Sequence, residues 1–324
     1  MQRTIILGAG LSGSIMYAVL NGKALVLEKN PYQHQGHQAV LHFRNPLLGQ
    51  LLDLPLQSIQ VVKAIYYKGQ HYTESNLFFN NMYSLKITSV LTDRSIGTLE
   101  SGERWFMKDN VTINHIIAPD VNHYQCCMVA LNNYGIMCQQ GGKDITYPYD
   151  VLISTLPLPF LLQKLNMQID WDFTAVPIFI ARLTLPEEFS TVCQTLYYPD
   201  LDYSVYRATI DHQKVIMETL SKDNLDSQLQ GMFTSFGLPL GLLMKIPNPI
   251  ITEQAFGKIK PLPNDMCKAV LYELTTKYNI YSLGRFALWK NLRAEDIYQD
   301  ALKIKKMIQY PISVQRYLLH KEVT

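Results

Sequence analysis

The chain has 324 residues, of which 48% are apolar and 17% charged, so it is long enough to bury the core of one large domain or two small ones. Its formal net charge of +2 is too small for the extended basic surface of a nucleic-acid-binding or membrane-surface protein. The longest uncharged apolar run, residues 151–163, contains two prolines and is shorter than the roughly 18–20 residues of a membrane span, and the five cysteines include no Cys-x-x-Cys pair. We therefore expect a globular protein of the reducing cytoplasm, with a small-molecule substrate and with neither nucleic acid nor membrane as a partner.

The first predicted unit is a strand–helix–strand segment over residues 4–28. Four strand-forming residues, Thr4–Leu7, lead directly into the glycine-rich stretch Gly8–Gly13, and a helical stretch follows. A second apolar run then ends in Glu28. A Gly-x-Gly-x-x-Gly pattern in this context, with an acidic residue at the end of the second strand, is typical of dinucleotide-binding βαβ units. The alternative is a glycine-rich turn that only packs against its neighbours.

Each part of this pattern has a physical reason. Gly8 permits the tight turn out of the strand, Gly10 lets a pyrophosphate approach the backbone, and Gly13 lets the helix pack closely on the sheet. The helix N-terminus offers unpaired N–H groups to the phosphates. Glu28 is placed to accept hydrogen bonds from a ribose diol.

The rest of the chain is predicted to be rich in strands. A loop with a short helix is expected over 31–50. In residues 80–103 the apolar residues show no clear periodicity. Strands are predicted at 58–68, 111–116, 125–131, 135–140, 145–149, 149–155, 178–183, 195–198, 204–209, 214–219 and 280–283. Helices are predicted at 226–236, within 262–278, and at 294–309.

Features of a nucleotide-binding domain lie at both ends of the chain, on either side of a long strand-rich middle. This arrangement predicts an α/β fold in which a discontinuous Rossmann-like nucleotide-binding domain (1–50, 105–160 and 275–324) contains an inserted mixed α+β substrate domain (51–104 and 161–274).

Several segments together resemble the flavin-dependent enzymes of the glutathione-reductase-like FAD fold, and most of all the branch that contains UDP-galactopyranose mutase, protoporphyrinogen oxidase and the flavin amine oxidases. The segments are the glycine motif with Glu28, residues 150–157, residues 197–207, and residues 281–289. The resemblance implies FAD as the cofactor rather than NAD. No second Gly-x-Gly-x-x-Gly is present, which argues against a disulfide-reductase type of enzyme.

The resemblance also implies which residues hold the cofactor. His37 is a departure, because the family usually has arginine near the phosphates at that position. Arg285 has its own physical reason, because a guanidinium pairs with phosphate oxygens or stabilises negative charge on a reduced flavin; a surface salt bridge is the alternative. The full set is Gly8, Gly10, Leu11, Ser12, Gly13, Glu28, Lys29, His37, Val111, Thr155, Pro157, Gly284, Arg285 and Trp289.

Substrate-binding residues are expected in the middle of the chain. Arg44, Arg94 and Arg207 are suited to bidentate binding of a carboxylate or phosphate, and Tyr198 to lining the pocket. The alternatives are solvated arginines and a tyrosine buried in a sheet. No metal site and no catalytic residue is predicted.

Three functions are consistent with these patterns. The first is a FAD-dependent oxidoreductase acting on a small polar or anionic substrate, in the manner of an amine oxidase. The second is a non-redox flavoenzyme resembling UDP-galactopyranose mutase, and the third is an inactive nucleotide-binding interaction module.

Overall fold

The structure, a computed structural model, describes residues 2–29, 42–91, 102–107, 126–132, 135–189 and 191–309. Its strands are β1 (Thr4–Leu7), β2 (Leu25–Leu27), β3 (His42–Phe43), β4 (Leu56–Tyr67), β5 (Gln70–Tyr72), β6 (Gly102–Met107), β7 (Cys127–Leu131), β8 (Gly135–Gln140), β9 (Lys143–Pro148), β10 (Val151–Ser154), β11 (Ala175–Thr184), β12 (Thr191–Tyr197), β13 (Val205–His212), β14 (Lys214–Thr219), β15 (Ile250–Ile259) and β16 (Ile280–Ser282). Its helices are α1 (Leu11–Val19), α2 (Leu47–Leu51), α3 (Leu77–Thr88), α4 (Leu158–Lys164), α5 (Leu225–Ser235), α6 (Asn264–Tyr278) and α7 (Ala294–Ile308).

A four-stranded parallel sheet forms the first layer, in the order β16-β10-β1-β2. Strands β1 and β10 are buried along their whole length, as expected where helices cover both faces of a parallel sheet. Helices α1 and α7 pack on one face, and α4 and α6 pack on the other. The carboxyl ends of all four strands therefore meet at one edge, where ligands bind in open α/β sheets.

The largest sheet has nine strands and is mixed. Its order is β15-β11-β14-β13-β12-β4-β6-β3, with β5 paired to β4, and β12 runs parallel to β4. Helix α5 covers one face through Leu229 and Phe233, and α3 covers part of the other through Phe79 and Tyr83. Strands β7, β8 and β9 form a separate antiparallel sheet.

The predicted α/β fold is confirmed: a parallel nucleotide-binding type of sheet is combined with a large mixed sheet. The strands of the parallel sheet come from both ends and the centre of the chain. The proposed division into two domains remains a prediction. Strand β3 and half of β6 belong to the large sheet but lie in the ranges assigned to the FAD-binding domain.

The elements that were not predicted are helices α3 and α4 and strands β3, β6 and β15. Helix α3 begins at residue 77 and occupies part of a region in which the apolar residues show no clear periodicity, and β15 forms an edge of the large sheet. Helix α4 begins directly after Pro157. The strand predicted at 111–116 lies outside the described residues.

Candidate cofactor and substrate site

The turns that follow three neighbouring parallel strands converge at the carboxyl edge of the sheet. The N–H of Thr155 and its hydroxyl both donate to the carbonyl of Leu7, at 3.0 and 2.7 Å. The N–H of Leu283 donates to the carbonyl of Ser154 at 2.9 Å. The segments after β1, β10 and β16 are therefore joined directly to one another.

Three glycines make this convergence possible because a side chain has no room at their positions. A Cβ on Gly13 would lie 2.0 Å from the carbonyl oxygen of Gly8, and one on Gly8 would lie 2.3 Å from Oγ1 of Thr155. A Cβ on Gly284 would lie 2.1 Å from Oγ of Ser12. Gly8 and Gly284 also have positive φ angles of +96° and +98°, which favour glycine.

Gly10 differs from these glycines because its missing side chain faces open space. No heavy atom lies within 4 Å of the position that a Cβ would take. Gly10 is also the N-cap residue of α1, and no side chain caps this helix end. Leu11 and Ser12 form its first turn with Gly13, so their N–H groups and the positive end of the helix dipole border the open space. The site has the shape and the donors that a pyrophosphate requires.

Glu28 follows β2 and closes the site on the other side of β1. Its Oε2 accepts the N–H of Ala9 at 2.7 Å, which fixes the carboxylate beside the glycine turn. Its carbonyl accepts the N–H of Cys126 at 2.9 Å. Lys29, which follows it, is exposed. The acid predicted to bind ribose is therefore held at the mouth of the glycine-rich turn.

The segment after β16 forms the remaining wall. Its chain is tied to α4, because the carbonyl of Phe286 accepts the N–H of Leu158, next to Pro157, at 3.0 Å. Nη2 of Arg285 donates to the carbonyl of Gly257 in β15 at 3.0 Å. The predicted residues Pro157, Gly284 and Arg285 thus lie on adjoining turns, and this wall contacts the large sheet.

Trp289 is buried completely at the end of this wall. Its ring packs edge-on against Phe173 and Phe256, with centroid distances of 5.2 and 6.2 Å. Its backbone has a φ angle of +48°, and its indole N–H has no hydrogen-bond partner within the described structure. The fit to a cofactor therefore depends on Gly10, whose open side at an uncapped helix N-terminus suits the pyrophosphate of a dinucleotide such as FAD.

Several basic side chains on and beside the large sheet influence one another electrostatically. We use the term basic cluster for His42, Arg44, Lys63, Arg104, Arg207 and Arg293. Burial, together with the charges of Arg207, Lys63, Arg104 and Arg44, lowers the pKa of His42 to about 3, so its imidazole is neutral. Nδ1 of His42 is buried without a hydrogen-bond partner among the described residues.

Lys63 lies at the centre of the basic cluster. It is 7% exposed, and burial together with Arg104, Arg44, Arg207 and Arg293 lowers its pKa to about 8. Lys63, Arg104 and His42 were not among the predicted site residues. The signal was available for Lys63, because the alternation of β4 places it on the same face as Val61 and Ile65, where a lysine is unusual.

The predicted substrate arginines have different surroundings. Arg207 forms a two-point ion pair with the buried carboxylate of Glu218, through Nε to Oε2 and through Nη2 to Oε1 at 2.8 Å. Burial lowers the pKa of the Arg207 guanidinium, but the neighbouring Glu218 carboxylate raises it by more. The pKa of Arg207 therefore lies well above its ordinary value. Arg44 is exposed, and its backbone N–H donates to Oε1 of Glu295 at 2.6 Å. Both residues are members of the basic cluster.

Tyr198 is not brought to this site. It is 1% exposed on the opposite face of the sheet, where its hydroxyl bonds to Oγ of Ser235 in α5 at 2.7 Å. We therefore leave Tyr198 out of the substrate site. Arg94, His37 and Val111 lie outside the described residues.

Neither a membrane span nor a metal site is found in the part of the chain that the structure describes. The helices within the described residues are too short or too polar to cross a bilayer. No group of three or more His, Cys, Asp or Glu side chains within the same ranges is placed to hold a metal ion.

Comparison with solved structures shows the fold. No protein-family model and no curated protein matches the chain. A reduced UDP-galactopyranose mutase is similar with a TM-score of 0.68, at 15% identity over 95% of this chain and 94% of that one. A CLA-producing fatty acid isomerase from P. acnes has a TM-score of 0.63, at 12% identity over 94% of this chain and 98% of that one.

A flavoprotein/dehydrogenase from Cytophaga hutchinsonii has a TM-score of 0.54, at 11% identity over 94% of this chain and 77% of that one. Likenesses at this level of identity establish the fold alone. The predicted resemblance to the FAD-binding fold of the UDP-galactopyranose mutase branch is confirmed at that level.

Proposed function

We propose that this protein is a FAD-dependent oxidoreductase that acts on a small polar substrate carrying negative charge. The observation that carries the proposal is the open side of Gly10 at the uncapped N-terminus of α1, enclosed by Glu28 and by the turn at Gly284. The open space beside Gly10 would accommodate a pyrophosphate, whereas Gly8, Gly13 and Gly284 leave no room for a side chain.

Different residues would bind different parts of FAD. The N–H groups around Gly10, Leu11 and Ser12 would hold the pyrophosphate, and Glu28 the adenosine ribose. When bound, FAD supplies reversible transfer of electrons to and from an organic substrate. Thr155, Pro157 and the segment from Gly284 to Trp289 would surround it and exclude water.

The basic cluster supports an anionic substrate. A site with several guanidinium groups and a lysine repels a free cationic amine and attracts carboxylate or phosphate oxygens, which arginine binds in bidentate fashion. Within the predicted range of polar and anionic substrates, the charge of the site therefore favours the anionic ones.

A second candidate is non-redox flavin chemistry. The likeness to a reduced UDP-galactopyranose mutase favours this candidate, because that protein's name describes an isomerisation. The two candidates differ in whether substrate changes the oxidation state of the flavin over a complete turnover.

The first test is whether the purified protein carries FAD. We expect a yellow protein with the two visible absorption bands of oxidised flavin, and release of free FAD by acid or heat. A colourless protein that does not bind added FAD would overturn the proposal.

The second test separates the two candidates. Anaerobic bleaching of the bound flavin by an anionic donor supports the oxidoreductase. Turnover that begins only after reduction by dithionite, with no net consumption of reductant, supports the mutase-like alternative instead.

A further inference from the structure

Helix α3 has an unusual distribution of side chains for a helix at the surface of a protein. Its only charged residue is Lys86, whose ammonium group points inward and donates to three backbone carbonyls at 2.6–2.7 Å. Three of its large apolar side chains are exposed instead: Leu77 is 75% exposed, Phe78 51% and Leu85 40%. A surface helix normally places its charged side toward water. Helix α3 packs on the large sheet with one side and has apolar residues on the other side as well.

The exposed residues share one face of the helix. At about 100° of rotation per residue, Phe78, Met82 and Leu85 lie within about 60° of one another around the helix axis. Leu77 and Asn81 extend this face on one side. We use the term outer face of α3 for Leu77, Phe78, Asn81, Met82 and Leu85. The outer face carries no charge, and the amide of Asn81 is its only polar side chain.

Such a face is typical of a surface that another molecule covers. Single exposed apolar residues are common on proteins, but a group of them on one helix face is characteristic of an interaction site. Because Lys86 is directed inward, no cation of α3 is available to attract anionic lipid headgroups. The amide of Asn81 would also lose its hydrogen bonds in hydrocarbon. The outer face therefore fits another protein surface better than a lipid surface.

The outer face is complementary to itself about a two-fold axis through Asn81. An amide is both a donor and an acceptor, so that of Asn81 can pair with the same amide in a second copy. Leu77 and Leu85 lie four residues, or about 6 Å, on either side of Asn81. In antiparallel packing of two α3 helices, Leu77 of each copy therefore lies against Leu85 of the other. No like charges meet across the axis, since the outer face has none.

We propose that two copies of this chain form a two-fold symmetric dimer through the outer face of α3, with the two Asn81 amides paired at its centre. The proposal does not depend on the cofactor or on the reaction. A helix of 12 residues is about 18 Å long, so this contact is at the small end of specific interfaces. We therefore expect a dimer whose population depends on protein concentration.

The test is sedimentation velocity of the purified full chain over about a hundredfold range of protein concentration. The first variant, Leu85→Glu, places a carboxylate in the interface. Its matched control is Leu240→Glu, because Leu240 is 49% exposed and lies outside α3. The second pair of variants, Asn81→Asp and Asn81→Lys, is measured separately and as an equimolar mixture.

We expect wild-type protein and Leu240→Glu to dimerise equally. Leu85→Glu is expected to raise the dimer dissociation constant about tenfold or more, because the charge is buried without a partner. Asn81→Asp and Asn81→Lys are each expected to be monomeric, since like charges meet across the axis. Their mixture is expected to restore the dimer, because opposite charges then face each other. Non-specific apolar association would not give this rescue.

A wild-type protein that stays monomeric, or a dimer that persists in Leu85→Glu and in both Asn81 variants, would overturn the proposal. Wild-type protein that sediments with vesicles of phosphatidylcholine and phosphatidylglycerol but does not dimerise would also overturn it, with lipid as the occupant. Circular dichroism checks that each variant is folded. If Leu85→Glu does not fold, the mixture of the two Asn81 variants decides: a mixture that remains monomeric contradicts the dimer.

Discussion

At the level of single residues, two glycines of one motif have opposite surroundings. The missing side chain of Gly13 faces the carbonyl oxygen of Gly8 at 2.0 Å, whereas that of Gly10 faces open space. Gly13 is therefore required by the packing of α1 on the sheet, and Gly10 is available to a ligand.

This difference gives the first prediction, in which Gly10→Ala and Gly13→Ala are compared. Gly10→Ala is expected to fold normally, because its φ of −71° suits any residue, and to lose about tenfold or more in FAD affinity. Gly13→Ala is expected to lower the free energy of unfolding by about 1–3 kcal/mol through overpacking. Thermal melting without FAD and flavin fluorescence titration measure the two effects. Equal FAD affinity in Gly10→Ala and wild-type protein would contradict the assignment of the open space.

The second prediction concerns Glu28. Glu28→Arg is expected to weaken FAD binding about tenfold or more, because it removes charge-assisted hydrogen bonds worth about 1.5–3 kcal/mol each and introduces a misplaced charge. Fluorescence titration with FAD measures the change, and Lys29→Met serves as a control at the exposed neighbouring position. If the affinity is unchanged, Glu28 does not contact the ribose.

Candidate cofactor residues could be predicted where local geometry determines their positions. Gly13 and Glu28 were predicted because a strand, a tight turn and a helix impose their spacing within a short segment. Lys63 was not predicted because its neighbours come from strands that are distant in sequence. Tyr198 was predicted beside the substrate arginines, whereas the structure places it on the side of the large sheet that α5 covers.

At the level of elements, one lysine of helix α3 adds three hydrogen bonds to the apolar packing of this helix on the large sheet. Nζ of Lys86 donates to the carbonyls of Tyr198, Asp200 and Val205 at distances of 2.6–2.7 Å. An ammonium group has three donors, so this geometry uses all of them. Lys86 therefore joins α3 to the connection between β12 and β13.

The third prediction follows from this arrangement. Lys86→Met is expected to lower the free energy of unfolding by about 1–3 kcal/mol, because buried carbonyls lose their partners. Denaturant unfolding measures the loss, with Lys268→Met as the control at an exposed lysine of α6. Equal stability of the two variants would show that water replaces the ammonium group at no cost.

Regular strands such as β4 and β13 were predictable because they are rich in β-branched and aromatic residues. Helix α3 was not, since its buried residues Phe79 and Tyr83 are mixed with exposed Leu77 and Phe78 and leave little amphipathic pattern. Strand β15 was missed for a related reason. It lies at an edge of the sheet, where Ile250 and Ile251 are both exposed and no alternation is visible.

At the level of the whole molecule, the proposed cofactor site joins segments that are far apart in the chain. The glycine motif, the turn at Thr155 and the turn at Gly284 meet through direct backbone contacts. The parallel alignment of β1, β10 and β16 was implied by the resemblance to flavoenzymes, whereas the parallel pairing of β12 with β4 had no signal in the sequence.

The fourth prediction is that FAD stabilises the entire fold. A ligand that binds only the folded chain at 100 times its dissociation constant adds about 2.7 kcal/mol to the free energy of unfolding. The melting temperature is therefore expected to rise with FAD concentration, and the rise is expected to be lost in Gly10→Ala. Adenosine alone, which lacks the pyrophosphate, is the matched control ligand. A melting temperature that does not respond to FAD would contradict the prediction.

The order of strands in the parallel sheet has a consequence for how the protein is made. Strand β1 leaves the ribosome more than a hundred residues before its partner β10, and β16 follows later still. Until β10 is available, β1 can pair only with β2, and an isolated pair of parallel strands has an exposed apolar surface. The nascent chain thus carries its glycine-rich turn without the surrounding walls until β10 and β16 have been synthesised, so the proposed cofactor site forms only when all three segments are present.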